Sequence, residues 1–281
     1  MRINRDTLLK VARETVSQRA RTDRGLIAAY LCGSLLEDDY LLGGAADIDL
    51  VFIHTDMIPS EREVVHLTDD VHLDIAHHLH RDYRQARNLR VHPWLGPTLY
   101  TCLILYDPQH LLDFIQATVR GQFSRSDYVM QRAGKQAEHA RQMWVSFHEE
   151  KPDPGPMELA TYLRAIEHAV NAVALLSGAP LTERHFLLKF PERAEAIGRP
   201  GLYPGLLGLL GAPNTSAEVL KNWLPAWQAA YGALPASAEP SRLHPVRRSY
   251  YERAIRSMNL GGLSGMAALA QNAQQPGQEK G

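Results

Sequence analysis

The 281-residue sequence predicts an α+β fold: a small mixed sheet with flanking helices over residues 1–108, an all-helical domain over 109–270, and a disordered tail over 271–281. Three observations lead there. Four short apolar runs of strand length lie before Pro108. After it, helical periodicity takes over and no convincing strand appears. The end of the chain, QNAQQPGQEKG from Gln271, is polar and rich in helix breakers.

In chain order, Leu8, Leu9, Ala12, Val16 and Ala20 recur at helical spacing, so residues 5–22 read as an amphipathic helix started by Asn4 or Asp6 and ended at Gly25. Leu26 to Cys32 is a buried-strand run that leads straight into Gly33-Ser34. Gly43-Gly44 punctuates the next stretch, and a second strand follows from Asp47 to His54. Residues 60–67 read as a short helix. Val71 to His77 is the third strand, with Val71, Leu73 and Ile75 alternating against His72, Asp74 and Ala76. Arg81 to Leu89 reads as helix, and Leu99 to Tyr106 as the fourth strand, closed by Asp107-Pro108. Beyond it, 109–120, 125–150, 157–177, 183–197, 215–234 and 241–259 show helical periodicity, separated by turn-formers around Pro152-Asp153-Pro154, Gly178-Ala179-Pro180 and Pro213-Asn214.

Composition sets limits. Hydrophobic residues are 45% and charged residues 22%, an ordinary globular balance, and the formal net charge of −1 gives no global attraction to nucleic acid or acidic lipid. Cys32 and Cys102 are too few for a disulfide framework, which fits a reducing compartment. The charged N-terminus lacks the apolar core of a signal peptide, and no stretch approaches the roughly 20 apolar residues of a membrane span. The expectation is a cytoplasmic protein with no membrane partner.

The chemistry concentrates between Leu31 and His54. Asp47 and Asp49 open a strand and, by alternation, share a face, roughly 7 Å apart at Cα. Two such carboxylates can share a divalent cation. Mg²⁺ suits them because it keeps several waters and takes one or two protein carboxylates plus substrate phosphates. Gly33 lets backbone approach a phosphate closely, and the Ser34 hydroxyl can donate to it, helped by the positive end of any helix that follows. Asp74 lies on the polar face of its strand, away from the predicted core.

The order of these features resembles the DNA polymerase β-like nucleotidyltransferase superfamily: an apolar strand ending Leu31-Cys32-Gly33-Ser34, a spacer, Asp47-Ile48-Asp49-Leu50, and a third acid in Leu73-Asp74-Ile75. The resemblance covers residues 26–108, and the helical remainder resembles the domains that follow this module in small-acceptor members such as the aminoglycoside nucleotidyltransferases. It implies Mg²⁺ at Asp47 and Asp49, the β/γ-phosphates of an NTP at Gly33 and Ser34, and Asp74 as general base or second-metal ligand. The implied reaction moves a nucleoside monophosphate from an NTP to a small-molecule acceptor. The alternatives are a toxin–antitoxin-type enzyme acting on tRNA or a partner protein, and a nucleotide-binding module without turnover. Sugar-nucleotide glycosyl transfer is disfavoured because the Asp-x-Asp pair starts its strand instead of ending it.

Weaker features are read more plainly. His72, His77, His78 and His80 read as exposed polar residues, although His72 shares a face with Asp74. Arg81, Arg84, Arg87 and Arg90 form a basic stripe if their segment is helical, read first as a solvated face and otherwise as a phosphate contact. Lys135 is the cation expected to reach the triphosphate. Arg164 and His168 are too close in sequence for the arginine-histidine pair of HEPN ribonucleases. The acceptor, the NTP base and the oligomeric state stay open.

Overall fold

The computed structural model describes residues 4–37, 40–41, 44–150, 155–212, 216–235, 244–253 and 255. Gly43, the turn-formers at 151–154 and 213–215, the end of the predicted 241–259 helix and the tail from Gln271 lie outside the described residues.

Helix α1 (Arg5–Thr22) starts where Asn4 accepts from the Thr7 N–H at 2.8 Å, and the Asp23 N–H closes it on the Arg19 carbonyl. Its Leu8, Ala12 and Val16 are buried against a five-stranded sheet. The strands are β1 (Leu26–Cys32), β2 (Ala46–His54), β3 (Arg62–Thr68), β4 (Val71–Leu79) and β5 (Leu103–Tyr106), in the order β3-β4-β2-β1-β5. β2 and β4 run parallel, and the other neighbours are antiparallel, so the sheet is mixed as predicted. Alternation divides the strands between two cores. Leu31, Ile48, Leu50, Phe52, Leu73 and Ile75 pack toward α1. Ala28, Tyr30, Val51 and Ile53 face the other way, toward Leu89, Leu99, Leu112 and Ile115.

That second core explains two departures from the sequence reading. Leu99 belongs to helix α3 (Leu95–Thr101), which packs it under the sheet, so β5 starts only at Leu103. The stretch 81–89 is a single 3-10 turn (His80–Tyr83) followed by a short helix α2 (Ala86–Arg90), with Tyr83, Ala86 and Leu89 all turned into the second core. The stripe of arginines is therefore interrupted. Arg81, Arg84 and Arg87 are exposed, while Arg90 reaches back to the Thr118 carbonyl. A third departure is larger: residues 62–68 are strand β3 and not helix. Val64 and Val65 are β-branched, and Asp69-Asp70 provides a two-residue turn, so this segment pairs with β4 in a hairpin with Val64 opposite Asp74.

The chain beyond β5 is helical among the described residues. Helix α4 (Leu111–Arg120) sends Leu112, Ile115 and Val119 into the second core of the sheet. Gln116 is buried there and donates to the carbonyls of Leu99 and Cys102 at 3.0 and 2.9 Å. Helix α5 (Ser126–Glu150) is tied to the same layer by Arg132, which donates to the carbonyls of Arg90 and Phe123 and stacks on the Phe123 ring. Helices α6 (Pro156–Ser177), α7 (Glu183–Ala196) and α8 (Leu202–Leu209) share a third core built on Ile166, Val170, Ala174, Phe190 and Leu206. Helix α8 went unpredicted, since two glycines and a proline in eight residues hide its periodicity. Helix α9 (Ala217–Gly232) follows. No described helix is long and apolar enough to cross a membrane.

Candidate active site

The parallel pairing of β2 and β4 sets the geometry. It places Asp49 opposite Asp74, and Asp47 opposite His72. Side chains at paired positions share a face, so the three carboxylates stand together on the sheet face that carries Val51 and Ile53 further along β2. Asp47 is 6% exposed and Asp74 2%, while Asp49 is half-buried. They line a cleft of about 680 Å³ together with Cys32, Gly33, Ser34, Arg62 and Arg247. The helical part of the chain closes the far wall through Glu167 of α6 and Pro180 and Thr182 before α7, and α3 contributes Thr98.

β1 delivers the turn. Cys32 pairs with Asp49, and the chain then bends at Gly33, whose φ of 76° and ψ of −164° suit glycine only. A Cβ built on Gly33 would overlap the carboxylate of Asp49. The glycine is therefore required by the acid beside it as well as by the turn. Ser34 is buried and opens a single 3-10 turn, Ser34–Leu36, closed by the Glu37 N–H on the Ser34 carbonyl at 2.8 Å. This turn is too short to carry the helix dipole that the sequence reading invoked.

Asp74 is the most engaged of the acids. Arg62 of β3 grips it with both Nε and Nη2, at 2.5 and 2.8 Å, one nitrogen to each oxygen. Arg247 adds an ion pair to the same carboxylate and stands 3.9 Å from Asp47. The imidazole of His72 is fully buried, with Nδ1 3.7 Å from Asp47.

Neither arginine was anticipated. Arg62 was read inside a helix, where it had no relation to Asp74, and nothing local in the sequence connects Arg247 to a strand near the other end. Lys135, the cation chosen instead, is exposed on α5 and is not among the residues that line the cleft. The histidines also differ from expectation. His72 and His77 are buried, and His77 packs on the opposite sheet face with its Nδ1 2.9 Å from His54 Nε2. Burial lowers the pKa of both His54 and His77, with Asp23 and Glu63 opposing the shift.

The donor set fits a hard divalent cation. All three acids offer oxygen, and Asp47 and Asp49 lie on one strand face as a two-carboxylate platform. Among the described residues no three His, Cys, Asp or Glu side chains converge to cage a metal by themselves. Mg²⁺ has no need of such a cage when phosphates and water complete its shell.

No family model matches the chain, and no curated protein does. Among solved structures it is similar to a nucleotidyltransferase-like protein from Exiguobacterium sibiricum 255-15, with a TM-score of 0.34 and 12% identity, over 96% of this chain and 82% of that one.

Proposed function

We propose that the protein is a Mg²⁺-dependent nucleotidyltransferase that moves a nucleoside monophosphate from an NTP to a small-molecule acceptor. The observation that carries this reading is the union, in one cleft, of Asp47, Asp49 and Asp74 with a glycine turn whose missing Cβ makes room for Asp49. It is supported by the resemblance in residue order to the polymerase β-like superfamily.

In this reading Asp47 and Asp49 would hold Mg²⁺, which would supply positive charge to offset the charge gathering on departing pyrophosphate. The Gly33-Ser34 turn lies beside Asp49, where the β- and γ-phosphates would approach backbone and the Ser34 hydroxyl. The acceptor oxygen attacks the α-phosphorus, the bond from that phosphorus to the bridging oxygen breaks, and pyrophosphate leaves. Asp74 receives the acceptor's proton. Arg62 holds one bond to each of its oxygens and Arg247 pairs with it too, so the proton goes to a lone pair that these arginines leave open. The acceptor lies against the helical wall, near Glu167 and Thr182.

The test is direct. The protein is incubated with Mg²⁺ and α-labelled NTPs against aminoglycosides, lincosamides, total tRNA and itself. Label on a small molecule, lost in Asp49→Asn, is the expected result. Label on tRNA or on the protein would move the acceptor class, and no label anywhere would sink the reading.

A further inference from the structure

Resting on that reading, we propose that Arg247 is a specificity residue that makes the site accept a metal–triphosphate complex in preference to a free divalent cation. The argument begins with the cation already present. Arg247 is 3% exposed, pairs with Asp74 and stands beside Asp47, so its guanidinium sits among the acids a metal would use. Asp74 already has a bidentate partner in Arg62, so a second guanidinium there is held in excess of what that carboxylate needs. One nitrogen of Arg247 is also underused. Its Nε is buried and has no hydrogen-bond acceptor among the described residues, although the residue lines the cleft. A phosphate oxygen is the acceptor that this geometry lacks, since arginine presents a planar fork suited to phosphate.

The segment that bears Arg247 is held from outside the site. Ser249 Oγ donates to the Asp69 carbonyl at 3.0 Å, and Arg253 pairs with Asp70, both in the β3–β4 turn. Tyr231 of α9 donates to the His244 carbonyl at 2.9 Å, and Arg247 Nη1 reaches the Tyr251 hydroxyl at 3.4 Å. Residues 244–253 therefore form a strap latched to the hairpin, with Arg247 pointing into the cleft and Tyr250 beside it.

Charge then decides which ligand enters. A free divalent cation must share carboxylates with a guanidinium that repels it and gains nothing in return. A metal–triphosphate brings the same cation together with oxygens that can take Arg247 off Asp74, so the displaced guanidinium moves to a better partner. The wild-type site discriminates by this exchange, and a ligand that cannot accept Arg247 sees its affinity scaled down to the fraction of protein in which Arg247 has left the acids.

The experiment measures binding of Mn²⁺ alone, by loss of the free-ion electron paramagnetic resonance signal, and of Mn²⁺–tripolyphosphate, by calorimetry, without acceptor or turnover. Arg247→Ala is expected to bind free Mn²⁺ about tenfold more tightly and Mn²⁺–tripolyphosphate about tenfold more weakly. A merely structural loss would move both the same way. Arg253→Ala, which loosens the strap away from the acids, is expected to tighten free Mn²⁺ as well. Unchanged or weaker Mn²⁺ binding in both variants overturns the proposal. Adding Asp49→Asn to each protein separates the two ideas. If it abolishes Mn²⁺ binding while Arg247→Ala fails to tighten it, Arg247 is not the discriminator and the metal site stands. If it changes nothing, the metal assignment falls and the role of Arg247 falls with it.

Discussion

A methyl group at Gly33 would have nowhere to go. The backbone there has a φ of 76° with ψ near extended, a combination open almost only to glycine, and the Asp49 carboxylate fills the space beside it. Gly33→Ala should therefore cost about 2 kcal/mol in stability from the backbone alone, more with the clash, and should displace Asp49 as well. Denaturant unfolding measures the first effect and nucleotidyl transfer the second. Adding Asp49→Gly should restore part of the stability and none of the transfer, and a wild-type midpoint for Gly33→Ala would contradict the geometry. Asp47→Asn should abolish transfer with little change in melting temperature, because it removes charge and keeps shape. Asp74→Asn differs, since it leaves Arg62 and Arg247 without their carboxylate, and should lower both kcat, by roughly 10²–10⁴ if Asp74 is the base, and the melting temperature. At this scale the polar-face positions of the acids were readable in the sequence, because strand alternation alone puts Asp47 and Asp49 on one face and Asp74 away from Leu73 and Ile75. Their arginine partners were not, because pairing across strands and across the length of the chain leaves no local pattern.

Elements were readable where one periodicity dominated. Helix α1 and strands β1, β2 and β4 fall within a few residues of expectation, since the helix buries one clean face and the strands, buried on both sides, read as short apolar runs. Strand β3 was misread because its exposed and half-buried positions follow no strict alternation, and only the hairpin with β4 settles it. That misreading hid Arg62. The β2–β4 pair also carries a titratable device at its far end, where His54 and His77 share a hydrogen bond between Asp23 and Glu63, and Glu63 is itself paired with Arg19. Burial holds both imidazoles below their ordinary pKa of 6.5. The unfolded chain therefore takes up protons first as pH falls, so their contribution to stability is complete above about pH 7.5 and is lost as pH drops through 6.5 toward the folded values. Chemical denaturation at pH 7.5 and 5.5 should show this loss, and His77→Gln should flatten it. An unaltered slope in the variant would place the sensitivity elsewhere.

At the scale of the whole molecule, the cleft has two walls of different origin. The sheet supplies the acids and the turn, while α6 and the approach to α7 supply Glu167, Pro180 and Thr182. If the acceptor rests on the helical wall, Glu167→Gln should raise the KM for acceptor several-fold and leave the KM for NTP close to wild type. A rise in the NTP value alone would reverse the assignment of the walls. The sequence announced the helical region as a whole, yet Glu167, Pro180 and Thr182 did not stand out as cleft residues, because a wall is defined by what it faces. The latch of residues 244–253 on the β3–β4 turn carries a last consequence, for synthesis. The acids leave the ribosome with the first strands, and Arg247 follows about 170 residues later, roughly 10 to 35 s at ordinary elongation rates. Through that interval a nascent sheet holds its carboxylate cluster with Arg62 as the only one of its two arginines yet made. The chain's own late residues then reset the site's appetite for cations, so the newborn protein and the finished one should differ in how greedily they take up metal.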